Sequence, residues 1–322
     1  MSEFDLIKRY FTNIGGNQFV RLGIGDDAAI TTIPESHELV TTVDTLVADV
    51  HFYSDTAPEL IGHKALAVNL SDLAAMAATP AWFTLSLSLP AKDEDWLRGF
   101  SKGIASLARL YDIALVGGDT VKGPLNITIQ ACGLVEKGMA LLRSGARIGD
   151  AIYVTGELGD ASLALSLIKD ENRSLSDSGE LLEQLHKPSP RVEQGLLLSG
   201  LANSAIDISD GLIADLSHIL NASNVGGELI LDSIPVSDKA RSVTDEDGLL
   251  DKALYGGDDY ELCFTVPQAN EDALLNLMDE QGYKIYRIGH VVADSGVLGI
   301  DGNGNTKILS AVGYDHFADV SS

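Results

Sequence analysis

The chain has 322 residues, more than one hydrophobic core usually serves, and 45% of them are apolar, enough for two packed domains. Asp and Glu outnumber Lys and Arg by 47 to 22, a formal net charge of −25. That balance excludes a surface that grips nucleic acid by counterion release. No apolar run approaches the roughly 20 residues of a membrane helix, and the opening Met1-Ser2-Glu3-Phe4-Asp5 has neither the basic nor the apolar stretch of a signal peptide. The expectation is a cytoplasmic protein with no membrane partner.

In chain order, residues 38–43 read as a strand, and 58–78 as a helix opened by Pro58 in its first turn. Residues 83–89 alternate apolar and hydroxyl side chains and give the clearest strand signal. Residues 94–111 suit an amphipathic helix with Trp96, Phe100, Ile104 and Leu107 along one side, and 125–135 another strand. The polar, glycine-bearing text from Arg143 to Asp150 marks a boundary, so the expected domains are 1–143 and 144–322. Beyond it, 151–155, 205–208, 228–231 and 260–266 read as strands, and 161–169, 191–202 and 212–221 as helices. Residues 170–179 are expected to be a surface loop. Asp301-Gly302-Asn303-Gly304-Asn305 resembles a calcium loop only superficially and is better read as a hairpin turn. The two cysteines, Cys132 and Cys263, each sit in a strand-like segment and are expected to be buried small apolar residues.

Most carboxylates serve a self-repelling, soluble surface, but a few sit where that explanation is thin. Gly23-Ile24-Gly25-Asp26-Asp27-Ala28-Ala29 puts adjacent carboxylates on a tight turn, comfortable in water or beside a cation. Thr42 and Asp44, two apart at a strand end, can share one face and offer the hard oxygen donors that magnesium favours. Asp72 follows Asn69 by three residues on the side of an alanine-rich helix; a solvated face would explain it as well. In Val116-Gly117-Gly118-Asp119-Thr120 the paired glycines let backbone N–H groups approach a phosphate, although turn chemistry alone yields such a triplet often. Asp207-Ile208-Ser209-Asp210-Gly211 is sharper. One helix cap needs one such side chain, and this turn carries three.

Other phosphate devices are missing from the sequence. There is no Gly-x-x-x-x-Gly-Lys-[Ser/Thr], no strand-borne Gly-x-Gly-x-x-Gly, and no His-Arg-Asp or Asp-Phe-Gly. The 7 histidines form no His-x-x-x-His pair, which argues against zinc. Phosphate chemistry here must rely on aspartates and metal ions.

Taken in order, these motifs resemble thiamine-monophosphate kinase, of the superfamily that includes aminoimidazole ribonucleotide synthetase and selenophosphate synthetase. The matching text is Gly25-Asp26-Asp27-Ala28-Ala29, Thr42-Val43-Asp44-Thr45-Leu46-Val47 leading to His51-Phe52, Asn69-Leu70-Ser71-Asp72, Gly117-Gly118-Asp119-Thr120, Arg143-Ser144-Gly145-Ala146, Asp207-Ile208-Ser209-Asp210-Gly211, and Gly256-Gly257-Asp258-Asp259-Tyr260-Glu261-Leu262. It departs at Ala48-Asp49-Val50, where relatives more often have an acidic residue and glycine, and at Asp258, where some carry glutamate.

The resemblance implies transfer of the γ-phosphoryl group of ATP to thiamine monophosphate, assisted by several Mg2+ ions. The acceptor is a phosphate oxygen already ionised at neutral pH, so charge neutralisation matters more than a general base. It implies Asp27, Thr42, Asp44, Asp72, Asp119, Asp207 and Asp210 as metal ligands, with Val43 contributing its carbonyl, and Tyr111, Gly118, Asp119, Arg143 and Ser209 as ATP contacts. His51, Glu261 and Tyr314 correspond to thiamine-phosphate contacts. Asp44, Asp119, Arg143 and Asp210 are the expected catalytic residues, with Arg143 stabilising the transferring charge. Asp26 is set aside, since adjacent carboxylates point differently and Asp27 carries the family match. The implied fold mixes α/β and α+β: an N-terminal domain whose sheet pairs across a homodimer and a C-terminal α+β domain, with the site where the domains meet. Selenophosphate synthetase would need a reactive cysteine near the N-terminus, and none precedes Cys132. Aminoimidazole ribonucleotide synthetase, which would differ in its substrate motifs, and a non-catalytic nucleotide-binding protein are the other rivals.

Overall fold

The computed structural model describes residues 3–169 and 179–311. They form two compact units: residues up to Ala140 together with His186–Leu196, and Leu141–Leu185 together with the residues from Leu197 onward.

The first unit contains α1 (Glu3–Tyr10), β1 (Val20–Leu22), β2 (Ile30–Thr31), β3 (His37–Val47), α2 (Pro58–Ala75), β4 (Thr79–Leu89), α3 (Glu94–Leu110), β5 (Ala114–Lys122) and β6 (Asn126–Glu136). β1 and β2 form a small ribbon, and the main sheet runs β3-β6-β4-β5. Its pairs are antiparallel except for β4 with β5. The alternation seen in 83–89 is real: Phe83, Leu85, Leu87 and Leu89 are buried, while Ser86 faces solvent. The predicted helix over 58–78 stops at Ala75 because the chain turns through Ala77, at φ 54°. α2 is buried along most of its length, as an alanine-rich helix without a polar face should be. α3 buries Leu97, Phe100, Ile104 and Leu107, while Trp96 is half-buried and stacks on Phe100. The two helices touch through glycine. A Cβ on Gly62 would lie 2.2 Å from the Phe100 carbonyl oxygen, and one on Gly103 would lie 2.0 Å from that of Glu59. Segment 186–196 packs back onto these helices, with the Pro188 carbonyl 2.8 Å from His63 Nε2 and the Pro190 carbonyl 3.1 Å from the Tyr111 hydroxyl.

The second unit contains β7 (Ala151–Val154), α4 (Asp160–Lys169), α5 (Gly179–His186), α6 (Val192–Leu198), β8 (Ser204–Asp207), α7 (Leu212–Ser223), β9 (Gly226–Ile230), α8 (Asp238–Val243), α9 (Glu246–Tyr255), β10 (Leu262–Val266), α10 (Gln268–Glu280), β11 (Tyr286–Val292), β12 (Gly296–Ile300) and β13 (Thr306–Leu309). The end of α5 and most of α6 belong to the first unit. Its seven-stranded sheet runs β13-β12-β9-β11-β7-β10-β8, antiparallel except for β9 with β12. β7, β8 and β10 are buried throughout. α7 packs Leu212, Ile213, Leu216, Ile219 and Leu220 into the same core. Cys132 on β6 and Cys263 on β10 are both buried and free. Residues 301–305 form the expected hairpin turn between β12 and β13, where Asp301 Oδ1 accepts the N–H groups of Asn303 and Asn305. Most of the expected surface loop 170–179 lies outside the described residues.

Candidate active site

In the first unit, the pleat of β3 turns Thr42 and Asp44 to one side and Val43, 61% exposed, to the other. The Thr42 hydroxyl donates to Asp72 Oδ2 from α2. Burial, and then the charge of Asp72, push the Asp44 carboxyl up to about 7. Two carboxylates held together, one on an edge strand and one on a buried helix, repel each other until a proton or a cation sits between them. Neither a solvated helix face nor a strand-end cap needs that arrangement.

Asp27 and Asp119 share a second locus. The 24–29 loop and the 115–120 part of β5 line one cavity of about 450 Å3, walled by Ile7 and Phe11 from α1 and its C-terminal turn. Asp26 lines the same cavity, and its Oδ1 accepts the Asp27 backbone N–H at 2.8 Å, bracing the turn. Gly118 permits a close approach within the sheet, since a Cβ there would lie 1.9 Å from the Leu85 carbonyl oxygen.

His51 folds back onto the end of β3, its Nδ1 accepting the Val47 N–H at 3.0 Å. The Tyr111 hydroxyl donates to the Pro190 carbonyl at 3.1 Å.

In the second unit, β8 ends on Asp207, 5% exposed, and the chain turns through Ile208, Ser209 and Asp210 into α7. This turn is built from inside: Asp215 Oδ2 accepts the backbone N–H groups of Ser209, Asp210 and Gly211 at 3.0, 3.0 and 3.2 Å. Burial pushes the Asp215 carboxyl up to about 7, with the Asp210 charge adding to the rise and the three N–H bonds opposing it. Arg143 is exposed, and its segment is tied to the end of α7. Ser223 Oγ accepts the N–H groups of Gly145 and Ala146, both at 3.1 Å, and donates to the Arg143 carbonyl.

Glu261 is 5% exposed and accepts the Thr155 hydroxyl at 2.6 Å; a Cβ on Gly156 would meet its carboxyl group at 2.4–2.7 Å. Beside it, Asp258 and Tyr260 take positive φ values of 69° and 52°, with the Tyr260 hydroxyl donating to Asp258. A bulky residue in that conformation costs on the order of 1–3 kcal/mol and is retained only where the surroundings enforce it. The Ile208 and Ser209 carbonyls do so here, accepting the N–H groups of Tyr260 and Asp258. Half-buried Asp259 has its carboxyl raised well above the ordinary value by desolvation, and it accepts the Gly159 N–H through both oxygens.

Asp27 and Asp119 line one cavity, and Thr42, Asp44 and Asp72 meet elsewhere in the same unit. Asp207, Ser209 and Asp210 share one turn. Tyr314 lies outside the described residues. Asp215, Ser223, Thr155 and Gly156 escaped the sequence reading. The signal for Asp215 was a lone carboxylate in the apolar run Leu212-Ile213-Ala214-Asp215-Leu216; the others left none. Among the described residues, no three His, Cys, Asp or Glu side chains stand close enough to form a ready-made metal centre.

Comparison with known proteins gives this geometry a context. Residues 25–135 match the family model for the AIR synthase related protein N-terminal domain, and 147–301 that for the C-terminal domain. The thiamine-monophosphate kinase of Escherichia coli K12 is 47% identical over 319 residues, covering 98% of both chains. Among solved structures, the thiamine-monophosphate kinase of Stenotrophomonas maltophilia K279a superposes with a TM-score of 0.85 at 46% identity, covering 88% of this chain and 92% of that one. The structure of AaThiL complexed with AMPPCP and TMP gives 0.77 at 32%, covering 91% and 92%.

Proposed function

Since the chain belongs to the AIR synthase related family, and within it to the thiamine-monophosphate kinases, we propose a reading of its aspartates as the Mg2+-binding apparatus of that reaction. The enzyme phosphorylates thiamine monophosphate to thiamine diphosphate at the expense of ATP. The observation that carries the proposal is the Thr42, Asp44 and Asp72 constellation, in which a half-buried carboxylate is raised to about 7 beside a second one. Those donors are hard oxygens, as Mg2+ requires. The lack of a preformed cage among the described residues suits an ion that keeps waters and completes its shell with phosphate oxygens. When bound, such ions neutralise the donor and acceptor phosphates and align them.

The chain's own residues then divide the work. Asp27, Thr42, the backbone carbonyl of Val43, Asp44, Asp72 and Asp119 hold metal from the first domain, 1–143, and Asp207 and Asp210 from the second, 144–322. Gly118, Asp119, Arg143 and Ser209 contact ATP, with the Tyr111 ring beside them. His51, Glu261 and Tyr314 hold thiamine monophosphate, the carboxylate facing the cationic thiazolium. Arg143 donates to the transferring phosphoryl group. The active form is a cytoplasmic homodimer. Supporting this are the long edge strand β3, which exposes Leu39 and Val43, and the absence among the described residues of any helix long and apolar enough to cross a membrane.

The test is to incubate purified protein with Mg-ATP and thiamine monophosphate and follow ADP and thiamine diphosphate together. Both should form in equal amounts, and Asp44→Ala should lower kcat by on the order of 10²-fold or more. Asp44→Ala behaving like the wild type would sink the metal assignment, and ADP without thiamine diphosphate would point to another acceptor.

A further inference from the structure

Asp215 has no counterpart in the assignment above. It stands in the first turn of α7, 3% exposed, within an otherwise apolar run. A helix N-terminus leaves backbone N–H groups for water, a cap or a bound anion. Here Gly211 precedes the helix with no side chain to cap it, and the anion is the chain's own: Asp215 Oδ2 gathers the N–H groups of Ser209, Asp210 and Gly211. On its other side the turn is held through its carbonyl, since Ser209 O accepts the Asp258 N–H at 2.9 Å. The backbone of 257 lies so near that a Cβ on Gly257 would stand 2.3 Å from that oxygen. In a glycine-rich phosphate loop the amides face outward to the ligand; in this turn they face inward.

We propose that Asp215 is a positioning residue for phosphoryl transfer, closing the Ser209–Gly211 turn from within so that it presents side chains, not amides, to the nucleotide and its metal. This rests on the nucleotide and metal roles proposed for Ser209 and Asp210. The inward bonds fix the backbone at three successive residues, and so the directions in which the Ser209 hydroxyl and the Asp210 carboxylate leave it.

Amide hydrogen exchange on the wild-type protein tests the geometry directly. The Ser209, Asp210 and Gly211 amides should be protected without nucleotide and change little when Mg2+ and a non-hydrolysable ATP analogue are added. Free exchange that becomes protected only on adding the analogue would overturn the proposal. Asp215→Asn, which keeps the shape and one acceptor oxygen but not the charge, should raise KM for ATP about tenfold and leave KM for thiamine monophosphate within about twofold. A lowered Tm with kcat and both KM values unchanged would reduce Asp215 to a merely structural role. If the variant does not fold, the exchange measurement decides alone. Ser209→Ala separates the two levels: an unchanged KM for ATP there defeats the nucleotide role of the turn itself, whatever Asp215 does.

Discussion

At the scale of single residues, the site depends on close approach as much as on charge. Glu261 is pressed between the Thr155 hydroxyl and the bare backbone of Gly156. A methyl group at 156 would fall within 2.4–2.7 Å of the carboxyl atoms, so the carboxylate must leave Thr155. Gly156→Ala should therefore raise KM for thiamine monophosphate by on the order of tenfold, about 1.4 kcal/mol of binding, with KM for ATP little changed. Steady-state kinetics with each substrate varied in turn checks this. The sequence displayed most candidate carboxylates because metal and phosphate ligands cluster in short motifs with glycine and hydroxyl neighbours. It hid Thr155 because the partners stand 106 positions apart, and only the pairing of β7 with β10 brings them together.

At the scale of elements, local rules held wherever an element could satisfy them alone. α3 begins where Asp93 accepts the N–H groups of Asp95 and Trp96, each at 3.0 Å. Asp93→Ala should cost about 1 kcal/mol and lower Tm by about 2–4 °C, measurable by calorimetry. Strands 83–89 and 125–135 were legible from alternation, whereas α8, α9, α10 and β11 were not, their apolar residues being too sparse or too irregularly spaced to show a period. Tyr153 on β7 gives an element-scale pH dependence. Burial, and then its 2.8 Å hydrogen bond to Glu271, push its phenol up to about 12 from an ordinary 10.0. The folded chain thus keeps a proton that the unfolded chain releases. The associated stability is full below pH 10 and is lost as pH rises through about 12. Urea midpoints measured between pH 9 and 12 should fall in the wild type and fall less in Tyr153→Phe.

At the scale of the whole molecule, a formal charge of −25 is a standing cost when further polyanions must bind. Divalent cations should therefore be needed for binding as well as for turnover. Saturating Mg2+ with a non-hydrolysable ATP analogue should stabilise the fold by about 2.7 kcal/mol at a hundredfold excess over Kd. The nucleotide analogue with a chelator should give almost none of this, a difference read as a Tm shift in thermal denaturation. The two-unit plan was legible from length. The return of His186–Leu196 to the first unit was not, since its packing onto α2 and α3 uses backbone carbonyls, which the side-chain pattern does not encode.

The alternation of β3 carries one more consequence. Thr42 and Asp44 lie on the face toward α2, while Leu39 and Val43 lie on the opposite, exposed face. Because the period of a strand is two, deleting one residue between 38 and 41 would exchange the faces. Val43 would turn toward Asp72, and Asp44 would be cast out to solvent. Conservative point substitutions along this strand should be tolerated one face at a time, but a single-codon deletion should abolish both at once, leaving β3 little freedom to drift in length.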